Sequence, residues 1–290
     1  MKKLLIFIFT ILAISVQAQT QSRDTLRISV LGDSYSTFEG YVTPDTNALW
    51  YFRPENPELH AKNDVRKVEQ TWWYQTIQNL GAKLERNNAY SGSTICGTGY
   101  LENNLSNIPY PEFQGHTDYM SRAFITRSNN LGEPDVILIC GATNDSWCKA
   151  QVGEYVYGNW TNRQLYTFRP AMAKLLYDLK ANYPTAKLLF ILNTGLRDDI
   201  NESVHTICKH YGVRCLDLKD IDKQHGHPSI KGMKAIADQV TAAVKQMQQR
   251  GPQMRDGQRM RGNRQDRGNG ERPDRNGERP QRGMMPDMDF

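Results

Sequence analysis

At 290 residues, 39% of them hydrophobic, the chain is long enough to bury one sizeable α/β core with extensions to spare. Its formal charge of +5 lies outside that core: Lys2 and Lys3 supply two charges, and ten Arg against seven acids from residue 250 onward supply three. The remainder sums to zero, so the basic balance gives no argument for nucleic-acid binding by the folded part.

Residues 1–18 combine Lys2-Lys3, an apolar run from Leu4 to Val16, and small residues around Ala18. That order describes a secretory signal peptide, too short in its apolar part to span a bilayer comfortably. The expectation is an exported bacterial protein, periplasmic or secreted. No cysteine follows the run to carry a lipid, and the mature chain has no transmembrane segment.

Residues 26–32, "LRISVLG", read as a central strand, and "GDS" follows it. Residues 36–66 and 101–130 are insertions without a simple βα reading, of the kind that shapes pockets. Helical periods fall at about 68–81, 167–182, 199–211 and 229–247. Further strands fall at 84–90, 134–141, 186–193 and 213–218. Strands alternating with helices, several apolar on both faces, predict a parallel sheet between helical layers. Sites in such sheets lie at the carboxyl ends of strands.

Four of those ends carry chemistry in one order. Ser34 follows the first strand, Gly92 in "SGS" the second, Asn144 in "GATND" the third, and His227-Pro228 precedes the last helix. Singly, each is an ordinary turn residue. Together they supply a hydroxyl nucleophile, an imidazole base that titrates near neutrality, and donors for an oxyanion. Asp33 reads as a brace for the loop around Ser34.

These four blocks resemble the SGNH hydrolases, the GDSL esterase/lipase superfamily, over roughly residues 26–247. The resemblance implies a three-layer α/β/α, flavodoxin-like fold with a five-stranded parallel sheet, in a domain spanning 19–249. It also implies ester hydrolysis without metal or organic cofactor. Ser34 is then the nucleophile, and Ser34 N–H, Gly92 N–H and Asn144 form the oxyanion hole. The fourth block, "DKQHGHPSIKG", splits the family's marks. Pro228 and Gly232 select His227 as the base, whereas Asp222 stands three residues before His225. The partner of the second His227 nitrogen is left between Asp222, the Gln224 side chain and a backbone carbonyl.

Trp50, Tyr51, Phe52, Trp72, Trp73, Tyr74 and Trp147 fall on or beside the expected catalytic edge. Aromatic faces suit sugar rings, so an O-acetyl ester of carbohydrate is the expected substrate. The alternatives are a lipase or lysophospholipase, an acyltransferase, or a non-catalytic envelope or glycan-binding protein. From residue 250 to 290 the Arg-, Gly- and Pro-rich chain has too little to bury and reads as disordered. Its interspersed acids favour a spacer or envelope contact over nucleic acid. Cys96, Cys140, Cys148, Cys208 and Cys215 lack paired CxxC spacing, so no zinc site is expected, and their disulfide pairing is open. His60, His116, His205 and His210 show no metal-ligand grouping in sequence.

Overall fold

The computed structural model describes residues 25–51, 62–100 and 120–249. The signal-peptide and tail readings lie outside the described residues, as do His60, His116 and Phe52.

The five expected strands all form, ending within about two residues of the expected limits. They are β1 (Arg27–Gly32), β2 (Lys83–Ala89), β3 (Val136–Gly141), β4 (Lys187–Leu192) and β5 (Arg214–Asp217). All pair in parallel in the order β2-β1-β3-β4-β5, the flavodoxin-like order. β3 is buried at all six positions because helices cover both of its faces.

The longer helices are α1 (Trp72–Asn79), α4 (Phe168–Asn182), α5 (Asp198–Tyr211) and α6 (Ile230–Gln249). Between α1 and α4 come two short helices, α2 (Phe124–Arg127) and α3 (Thr143–Trp147). Neither was expected, since four or five residues are too few to display an apolar period. Side-chain alternation along the strands sorts the core into two halves. Ile137, Ile139, Phe190 and Leu192 pack with α4 and α5. Val30, Leu138, Leu189 and Ile191 pack with α1 and α6. Burying one such side chain fully is worth about 1.5–3 kcal/mol.

The register sets the edge at which the candidate site residues lie. Gly32 stands opposite Ala89 of β2 and Cys140 of β3, so three strands end level. A Cβ at Gly32 would lie 2.4 Å from Ser36 Oγ, which shows how tightly the chain folds back after β1. A Cβ at Gly232 would lie 2.0 Å from the Asp222 carbonyl oxygen. Only glycine therefore lets the first turn of α6 press against the loop that carries His227.

Candidate active site

Beyond β1, Ser34 opens a short 3-10 turn, Ser34–Ser36. Asp33 caps it: its Oδ1 accepts from Tyr35 N–H at 3.0 Å, while Asp33 N–H donates to the Cys140 carbonyl at 3.2 Å. Burial pushes the Asp33 carboxyl up to about 7, its bond to Tyr35 N–H opposing the shift. Ser34 itself is 4% exposed.

The histidine loop is a small antiparallel hairpin, β6 (Lys223–Gln224) against β7 (His227–Pro228), with Gln224 opposite His227. Its two turn residues, His225 and Gly226, have φ of 48° and 77°. Two positive φ values in succession are what a type I′ hairpin turn demands. The turn turns His225 outward, where its Nδ1 meets the Lys62 carbonyl at 2.8 Å. It turns His227 inward, where Nε2 lies 2.9 Å from Ser34 Oγ.

His227 Nδ1 lies 3.2 Å from the backbone carbonyl of His225. A carbonyl only accepts, so the proton sits on Nδ1 and leaves Nε2 free to accept from Ser34. Burial lowers the His227 pKa to about 4; the His225 carbonyl opposes the shift and the Lys223 charge adds to it. The Trp50 ring stacks on the imidazole at 3.6 Å and 8°.

The two sequence candidates for the second nitrogen are placed elsewhere. With Lys223 paired to Pro228, Asp222 falls opposite Ser229. It accepts the Ser229 N–H at 3.1 Å on its carbonyl and the Ser229 hydroxyl on its carboxylate. Gln224 Oε1 accepts from Asp64 N–H at 2.8 Å. Hairpin register is thus the reason neither side chain holds His227; the acceptor is the backbone carbonyl. Tyr35 Oη donates to the Gly226 carbonyl at 2.6 Å, and Asn63 Nδ2 donates to that of Pro228 at 3.1 Å. No local sequence pattern announces these braces.

Gly92 and Asn144 follow β2 and β3, the two neighbours of β1. Gly92 has φ of 77°. Among the described residues, neither Ser34 N–H nor Gly92 N–H is used by another protein group. Asn144 is 2% exposed; its Nδ2 donates to the Ser93 carbonyl at 2.9 Å, and its Oδ1 accepts from the Tyr100 hydroxyl. Those bonds fix the amide face, with a second N–H left on Nδ2. Asp145 ties this turn to the Gly92 loop by accepting from Ile95 N–H at 2.8 Å and Cys96 N–H at 3.3 Å. Burial raises its carboxyl to about 6.

Arg127 of α2 clamps the strand ends from beneath and was missed in sequence. Its guanidinium donates to the carbonyls of Gly32 (3.1 Å) and Asn88, and to Ser93 Oγ (2.9 Å). Burial lowers its pKa to about 9. Arg127→Leu should cost about 3 kcal/mol of stability, because it leaves buried acceptors unpaired. Guanidinium denaturation measures this; a change under about 0.5 kcal/mol would show that the clamp carries no load.

The fold agrees with what comparison with known proteins finds. The family described as GDSL-like lipase/acylhydrolase matches residues 26–244. The chain belongs to this family. A GDSL-like lipase structure from Bacteroides uniformis ATCC 8492 is 47% identical, with TM-score 0.70, covering 77% of this chain and 97% of its own. One from Bacteroides ovatus ATCC 8483 is also 47% identical, with TM-score 0.69, covering 77% and 100%. A carbohydrate esterase structure at 17% identity and TM-score 0.51, covering 76% and 68%, shares the fold. No curated protein matches.

Within this GDSL-family site the aromatic residues divide. Trp72, Trp73 and Tyr51 are core, with Tyr51 Oη donating to the Pro228 carbonyl at 2.9 Å. Trp147 stands 41% exposed, its ring edge-on to His227 at 6.0 Å. Tyr74 packs against Trp73. All five cysteines are free thiols. The sequence reading of the histidines needs one correction: His205 lies beside Cys215 and Asp217. Helix α5 and strand β5 bring together residues that have no motif spacing.

Proposed function

We propose that this family member is an exported serine esterase working through a Ser34–His227 dyad, and that it removes O-acetyl groups from carbohydrate. The observation that carries the chemistry is the 2.9 Å contact of His227 Nε2 with Ser34 Oγ, combined with a backbone acceptor on Nδ1. Ser34 Oγ attacks the ester carbonyl while Nε2 takes its proton. The oxyanion is met by Ser34 N–H, Gly92 N–H and Asn144 Nδ2. The intermediate collapses, the alkoxide leaves with the proton from His227, and water repeats the cycle to release the acid. A neutral carbonyl stabilises the imidazolium less than a carboxylate does. The stacked Trp50 face offsets part of that loss through its cation–π attraction.

The exposed Trp147 beside the base supports a sugar substrate, and a carbohydrate esterase shares the fold. The pattern of residues 1–18 supports export. The test combines fluorophosphonate labelling with product analysis. A covalent adduct on Ser34 and acetate release from acetylated xylan or pectin are expected. Labelling with fatty-acid release from lysophospholipid instead would overturn the substrate, and absence of any adduct would overturn the enzyme. Detection of the mature protein in cytoplasm alone would overturn export.

The pH dependence follows from His227, which acts only when neutral. With its pKa held at about 4 instead of 6.5, kcat/KM should keep its plateau well below neutrality and fall as pH drops through about 4. Lys223→Met removes a nearby positive charge, so the acid limb should move upward. A limb at 6.5 that is unmoved by Lys223→Met would exclude this environment for the base.

A further inference from the structure

We propose that His205, Cys215 and Asp217 form a binding site for a divalent cation of the zinc class, sharing no residue with the Ser34 centre.

The site is a product of how α5 meets β5. The helix ends at Gly212, whose φ of 63° reverses the chain, and Val213 N–H closes the end on the Cys208 carbonyl at 2.8 Å. β5 therefore returns alongside the last turns of α5. His205 lies on the helix face that β5 passes. Cys215 and Asp217, two apart, share a strand face.

His205 Nε2 lies 3.2 Å from Asp217 Oδ1, and Cys215 Sγ lies 3.8 Å from the same oxygen. The ligand atoms of these three residues all fall within 4.8 Å of one another. Cys208 is buried and lies outside this group, so a solvent molecule would complete the coordination. Zinc holds N, O and S donors tetrahedrally at about 2.0–2.3 Å, which places neighbouring ligand atoms roughly 3.3–3.8 Å apart. The His205–Asp217 and Cys215–Asp217 separations lie close to these values.

Donor chemistry selects the ion. A thiol, an imidazole and a carboxylate are a borderline set, unsuited to magnesium or calcium and suited to zinc. On ligating, the thiol releases its proton to solvent, and no electron is transferred. The side chains of His205 and Asp217 are 49% and 56% exposed, so the ion reaches them without opening the core. Bound there, it would staple the edge strand β5 to α5.

Cobalt(II) is the probe, added to the full, reduced chain. Tetrahedral d–d bands with thiolate charge transfer should saturate at one equivalent and bleach on adding zinc. Cys215→Ser should lose the charge-transfer band, with esterase activity unchanged. Zinc should also raise the melting temperature of the native chain but not of Asp217→Asn, an exposed change that leaves the core intact. Absence of cobalt bands in reduced protein, or bands unchanged in Cys215→Ser, would overturn the site. So would a Cys208–Cys215 disulfide that forms despite saturating zinc, since the ligated Cys215 thiolate is withheld from oxidation.

Discussion

Alanine at Ser34 or at His227 should each lower kcat for p-nitrophenyl acetate by roughly 10⁵- to 10⁶-fold, and the double variant should be no worse than either single. The two side chains act as one unit through the Nε2–Oγ contact, so losing either removes the same step. The sharper comparison lies with their neighbours. In a triad that relies on a carboxylate, replacing the acid by its amide costs about 10⁴-fold. Asp222→Asn should instead stay within about tenfold, because its carboxylate holds Ser229 and leaves His227 to the His225 carbonyl. His225→Ala should behave likewise, since the carbonyl belongs to the backbone and the side chain points to Lys62. A loss near 10⁴-fold in Asp222→Asn, with an unchanged melting temperature, would restore the acid to the centre.

Asn144→Ala should lower kcat by about 10²- to 10³-fold while leaving KM within a few-fold, the signature of a donor that matters chiefly in the transition state. The Asn144 amide is pinned on both sides, by Ser93 and by Tyr100. Tyr100→Phe should therefore produce a smaller loss in the same parameter, by loosening the amide without removing it. Steady-state kinetics beside thermal melts separate the effects. If Asn144→Ala raises KM with kcat unchanged, the residue binds substrate and is not an oxyanion donor.

Much of this site was legible in the chain because parallel α/β sheets gather chemistry at strand ends. Apolar runs ending in Gly32 and Gly141 announced two of those ends, and Ser34 and Asn144 follow them closely. Pro228 and Gly232 pointed to His227 for a reason the fold makes concrete: α6 presses on the Asp222 carbonyl, where only glycine fits. Residues that act through local chain geometry left marks in local sequence.

Other features depend on contacts between distant segments. Arg127 reaches Gly32 across 95 positions, and Asn63 reaches Pro228 across 165; neither pairing has a local signature. The hairpin turn at His225–Gly226 decides which acceptor faces His227. A positive φ at histidine is uncommon enough that sequence pointed to Asp222 or Gln224 as readily as to a carbonyl. The grouping of His205 with Cys215 and Asp217 depends on where α5 stops and β5 turns back. By itself the sequence determined the order of elements and the candidate nucleophile, oxyanion donors and base, because period and punctuation are local. Only tertiary structure decided what orients that base and which distant side chains meet, because those are matters of register and packing.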